Sequence, residues 1–168
     1  MADFDPTQRV IQYDSQELRR ITSVIRKMGE EASAQARDAT SSLTSYAVDQ
    51  IKAAASSAPS PKQARRIAEG VRISKTSVTG TFGLGFASQK FSGGATTQLN
   101  NDTGSGKGIL AGVEFGAKKL KNFPPRTPKY GLRGSRGYFI WPTLRRIQPE
   151  IIKRWEEAFS KIVKEWDN

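Results

Sequence analysis

The chain has 168 residues, 36% of them hydrophobic, and no cysteine or histidine. That length suits one compact domain with a protruding element. The missing residue types exclude disulfides, thiolate metal sites and the commonest general base. The formal charge of +11 is confined to the middle of the chain: residues 61–136 hold 14 Lys/Arg against 3 Asp/Glu, while residues 1–60 hold 7 against 8 and residues 137–168 hold 6 against 5. Such a bias marks either a surface that faces a polyanion or a basic face kept for solubility. No apolar run approaches the roughly 20 residues that span a bilayer. The opening MADFDPTQ is acidic and polar, so neither a membrane span nor a secretory signal is expected.

Residues 15–57 read as one long helix, with Leu18, Ile21, Ile25, Met28, Ala32, Ala36, Ala39, Leu43, Tyr46 and Ile51 at helical spacing. Asp14 and Glu17 are placed to form a capping box at its start. At about 1.5 Å per residue such a helix would be about 60 Å long, against about 35 Å for a domain of this size. It must therefore project or break, and Gly29 or the small-residue run Ala32 to Ser42 is the expected weak point. The stripe there is mostly alanine, thin enough that a neighbouring subunit is expected to supply the helix that covers it. Residues 61–69 predict a short helix with Pro61 in its first turn and Gly70 at its end. From Val71 to Phe86 the period changes to that of two short strands turning near Gly80.

Residues 92–108 form a polar, Gly-rich loop, and Ile109 to Phe115 is a short apolar run that fits a strand or a helical turn. Residues 116–136 read as a basic, extended loop. Tyr138 to Trp141 reads as a brief aromatic strand, and Pro142 onward as a helix buried through Leu144, Ile147, Ile151, Trp155, Phe159, Ile162 and Trp166, with Pro149 expected to break or kink it. The fold class is α+β: a long N-terminal helix, a small antiparallel sheet with long loops, and a C-terminal helix packed on the sheet. The expected division is a helical arm over 1–60 and an α+β core over 61–168.

Few residues suggest chemistry. GSGKG at 104–108 resembles a phosphate-binding loop, but position 101 is Asn, position 108 is Gly, and no Ser or Thr follows the lysine. The middle segment offers only Glu69, Asp102 and Glu114 as carboxylates, and no spacing pairs them. Glu114, set in VEFGA, is expected either to pair with a nearby cation or to cap backbone amides. Tyr138, Phe139 and Trp141 beside the basic loop fit core packing better than a stacking platform. The basic loop holds Lys118, Lys119, Lys121, Arg126, Lys129, Arg133 and Arg136 with no acid, and Pro124, Pro125 and Pro128 keep it extended. Those charges cannot be buried unpaired, so the loop lies on water, on DNA or on an acidic neighbour. The prolines favour docking on a neighbour, because they preorganise the arm.

The segment ILAGVEFGAKKLKNFPPR at 109–126, with GYFIWPTLRRIQPEIIKRWEEAF at 137–159, resembles the neck or tail-completion proteins of long-tailed bacteriophages, most closely those of phages of actinobacteria. The likeness spans roughly residues 40–160. It rests on the signature Ala111, Gly112, Val113, Glu114, Phe115 and Gly116, and on the aromatic–proline step Phe139, Trp141 and Pro142. One departure is Ala117, where many members carry threonine. The resemblance implies a virion protein with no catalysis and no cofactor or metal, assembled in the host cytoplasm. It would form a ring, sixfold by analogy with phage tails, between the portal complex and the tail tube. Its partners would be its own copies, the adjoining neck and tail-tube proteins, and double-stranded DNA in the channel. A tail terminator capping the tube fits the same residues. The charge pattern by itself also fits a free nucleic-acid-binding protein.

Overall fold

A computed structural model describes residues 15–80, 82–97, 108–116, 123 and 137–166. Its elements are α1 (Ser15–Lys27), α2 (Glu30–Ala55), α3 (Pro61–Glu69), β1 (Val71–Thr76), β2 (Phe82–Phe86), α4 (Leu110–Phe115) and α5 (Ile140–Trp166). The fold is α+β, with β1 and β2 paired as a two-stranded antiparallel sheet. Beyond that pair the described residues add only isolated bridges, Lys90 to Thr96 and Thr96 to Gly108.

By its contacts the chain divides into two compact units. Among the described residues, one comprises 48–72, 85–97, 108–116, 123 and 137–146; the other comprises 15–47, 73–80, 82–84 and 147–166. Both draw on residues from either side of the 60/61 boundary expected from sequence.

In the second unit the long N-terminal helix breaks where its length requires. Met28 and Gly29 separate α1 from α2, and Gly29 adopts φ +104°, a backbone that other residues rarely take. The thin stripe of α2 is covered by the chain itself: Ala32, Ala36 and Thr40 have no exposed surface and Leu43 is 5% exposed. The expectation that a neighbouring subunit must cover this stripe is thus corrected. Small side chains let packed elements approach closely, so a narrow stripe suffices. The two buried threonines remain satisfied, because Thr40 Oγ1 shares its proton between the carbonyls of Ala36 at 2.9 Å and Ser77 at 2.8 Å, and Thr44 Oγ1 donates to the Thr40 carbonyl at 2.7 Å. The end of α5 lies beside the start of α2: Trp166 Nε1 donates to Gln35 Oε1 at 3.2 Å, and the Arg154 guanidinium stacks over the Tyr46 ring at 4.3 Å. Trp155, 3% exposed, stacks on Phe159 with centroids 6.2 Å apart. Its indole lies against the hairpin turn, where a Cβ on Gly80 would come within 2.8 Å of the ring.

In the first unit α3 has proline in its first turn, as expected, and ends at Gly70. Its apolar face (Ala64, Ile67, Ala68) is buried, and α3 packs against α4. The Ala87 amide donates to the Gly70 carbonyl at 2.7 Å, extending the strand pairing past β1 and β2. Thr97 then ties the following loop back, with Oγ1 bonded to the Ala87 carbonyl and accepting from the Gln89 amide. The short run at 110–115 is helical rather than extended. Helix α5 runs from Ile140 to Trp166 through Pro149 without ending; the proline sits on the exposed face, where water can satisfy the carbonyl it leaves unpaired.

Candidate functional site

The residues that carried the resemblance come together. Glu114 lies on α4, 2% exposed. Its Oε2 accepts the amides of Phe139 at 3.1 Å and Ile140 at 3.0 Å, and its Oε1 accepts the amide of Trp141 at 2.7 Å. A helix leaves four amide positions without intrahelical partners at its start. For α5 those positions are Phe139, Ile140, Trp141 and Pro142. Glu114 takes three, and the fourth is a proline with no N–H to satisfy. One carboxylate from a distant segment thus completes the whole first turn, and its negative charge lies at the positive end of the helix dipole.

This clasp corrects the expected aromatic strand at Tyr138 to Trp141. The backbone bends at 138–139 and is helical from Ile140, because the carboxylate supplies the partners that a strand ladder would otherwise provide. Phe139 has no exposed surface and belongs to the core, whereas Trp141 is half-buried with the Arg145 guanidinium 5.1 Å from its ring. Of the two roles open to Glu114 in the sequence, the structure shows amide capping.

Two glycines flank the clasp. Gly116 ends α4 with φ +85°. Gly137 has φ +56°, and a Cβ there would collide with Glu114 Oε1 and approach Trp141 Cβ to 2.8 Å. Glycine is required at 137 both by its backbone and by the carboxylate packed on it. Val113 is buried beside Glu114, and Phe115 is half-buried. Desolvation raises the Glu114 pKa above the ordinary value of 4.5; the amides of Ile140, Trp141, Phe139 and Tyr138 oppose that shift only in part.

Lys118, Lys119, Lys121, Arg126, Lys129, Arg133 and Arg136 lie outside the described residues, as does most of GSGKG. The clasp holds the two places where the chain enters and leaves this basic segment. Among the three mid-chain carboxylates, Glu69 is exposed on α3, Glu114 is committed to amides, and Asp102 lies outside the described residues. Among the described residues no group of three His, Cys, Asp or Glu side chains gathers as a metal site.

One feature escaped the sequence reading. In the second unit a cleft of about 540 Å³ is lined by Arg19, Thr22, Ser23, Arg26 and Lys27 of α1 and by Thr79 of the hairpin turn. The signal was present: α1 carries Arg19, Arg20, Arg26 and Lys27 against the single acid Glu17. Averaging charge over residues 1–60 concealed it behind the acids of the flanking segments.

Comparison of the chain with protein families, with curated proteins and with solved structures finds no match.

Proposed function

We propose that this chain is a structural virion protein that forms a ring in the head-to-tail connector of a long-tailed phage, as a neck or tail-completion subunit. The observation that carries the reading is the Glu114 clasp. It makes one working unit of the two separated segments, 113–116 and 139–142, on which the resemblance rests. It also gives the basic segment between them a firm root at both ends. A ring of such subunits would surround the DNA path with a dense positive charge, and attraction to phosphate needs no sequence readout. The partners proposed are copies of the same chain, the adjoining neck and tail-tube proteins, and DNA in the channel. A tail terminator capping the tail tube is the variant of the reading within the same class. A free nucleic-acid-binding protein is the competing class, favoured by the confinement of the charge excess to residues 61–136.

Reversal of Lys118, Lys119 and Lys121 to glutamate in the phage that carries this chain tests the role of the basic segment. Loss of head–tail joining is the expected result and supports docking on a neighbouring virion protein. Particles that join but fail to deliver DNA would assign the segment to the DNA path instead. Unchanged joining and infectivity would remove both roles.

A further inference from the structure

We propose that the cleft between α1 and the turn of the β1–β2 hairpin binds the phosphate backbone of double-stranded DNA. The cleft is defined by this chain alone, so the proposal stands whether or not the protein occupies a neck ring.

All six lining residues, Arg19, Thr22, Ser23, Arg26, Lys27 and Thr79, carry a side-chain hydrogen-bond donor, and none is acidic. Arg19, Ser23 and Arg26 follow i, i+4, i+7 spacing, so they share one face of α1. Two helical turns separate the guanidiniums, a rise of about 10 Å. The side chains of Arg19, Arg26 and Lys27 are exposed, and none forms an ion pair with another described residue. Glu30 and Glu31, at the start of α2, do not bridge to them. Basic residues in the last turn of a helix complement its dipole, which accounts for Arg26 and Lys27. It does not account for Arg19 in mid-helix.

The hairpin wall of the cleft is fixed in advance. Thr79 Oγ1 and Ser77 Oγ share a hydrogen bond of 2.7 Å, and the Thr79 amide donates to Ser77 Oγ at 3.2 Å. The Ser77 carbonyl is in turn held by Thr40 Oγ1 of α2 at 2.8 Å. A wall fixed before binding loses less entropy when the ligand arrives.

The chemistry of the lining selects the partner. Arginine, lysine, serine and threonine are the side chains that position phosphates. No aromatic ring lines the cleft to stack a base, so a nucleotide would be held by its phosphates and not by its base. No apolar side chain lines it to seat the anchors of an acidic peptide. A continuous phosphodiester backbone satisfies several spaced cations at once, and the resulting binding is independent of sequence and strongly weakened by salt.

The test uses the full chain and a short labelled DNA duplex, with binding followed by fluorescence anisotropy between about 50 and 200 mM salt. Arg19→Glu with Arg26→Glu should weaken binding by about tenfold or more and reduce the salt slope by about 2, roughly one unit per lost phosphate contact. Lys62→Glu with Arg65→Glu, exposed on α3, changes the net charge equally and should leave the slope near that of the parent. Arg19→Gln with Arg26→Gln, a milder change at the same positions, should reproduce the lower slope in a chain that melts like the parent. Equal losses in the α1 and α3 reversals would show that only overall charge matters and would overturn the site. An unchanged slope in the glutamine variant would overturn it too, as would binding of an oligoglutamate as tight as that of the duplex and equally lost in the α1 variants.

Discussion

Glu114→Ala should lower the free energy of unfolding by roughly 3–5 kcal/mol, since each buried amide left without a partner costs about 1–3 kcal/mol and three lose theirs together. Against a typical domain stability of about 5–15 kcal/mol, that is a large share for a side chain far from any apolar core position in character. Glu114→Gln should be only partly better. Its single carbonyl oxygen can serve one side of the clasp, while its NH2 group faces amides that are themselves donors. Denaturant melts measure both, and variants that melt like the parent would mean that the first turn of α5 does not depend on the carboxylate. The pH dependence has a definite sign. Burial raises the folded-state pKa of Glu114 above 4.5, with the amides of Ile140, Trp141, Phe139 and Tyr138 opposing it. The folded chain therefore takes up this proton at a higher pH than the unfolded chain. The group's contribution is fully present below its unfolded value and is lost as pH rises through the raised folded value. The stability gap between the parent and Glu114→Gln should accordingly narrow as pH rises through that window. A gap that widens would mean that the amide bonds outweigh burial.

Trp155→Ala should cost about 3–5 kcal/mol, the usual penalty for emptying a large aromatic site. The indole is 3% exposed, stacks on Phe159 and fills the space against the Gly80 turn. Its loss removes the surface on which the hairpin turn rests. The neighbouring exposed pair Arg154–Glu150, at 2.6 Å in i, i+4 register, should contribute little by comparison, because exposed ion pairs are screened by water and salt. Melting curves of Trp155→Ala that match the parent would show that α5 is not a core element in this unit.

Much of the fold was legible because local signals and tertiary packing agree. Pro61 opens α3 in its first turn and Gly70 closes it, in a right-handed conformation where a Cβ would meet Gln89 Nε2 at 2.7 Å; the change of period after Gly70 marks the hairpin, and the apolar stripe of α5 is the buried one at Ile147, Ile151, Trp155 and Ile162. A break or a projection was readable because the helix was too long for its domain, and of the two weak points, Gly29 and the run Ala32 to Ser42, the break falls at Gly29. The misreadings have physical causes. Tyr138 to Trp141 has the composition of a strand, and only a carboxylate at position 114 turns its amides into the start of a helix. That partner lies some 25 residues away, beyond the reach of any local pattern. The alanine stripe of α2 looked too thin to bury, yet small side chains and back-bonded threonines make a satisfied interior face. Glu114 was recognisable as structural from its apolar setting, but its choice between a cation and backbone amides depended on the approach of α5. The α1 cleft was hidden because its cations were averaged with distant acids and because Thr79 joins them only through the fold.

The central proposal is that copies of this chain form a ring at the junction of head and tail, and a cryo-electron microscopy map of the neck of a phage that encodes the chain tests this most directly. The account predicts a closed ring around the DNA channel, with each subunit density fitted by α1 to α5 and the Glu114 clasp, and with the basic segment directed at the channel or an adjoining ring. Mature particles whose head–tail junction contains no copy of this chain would contradict it.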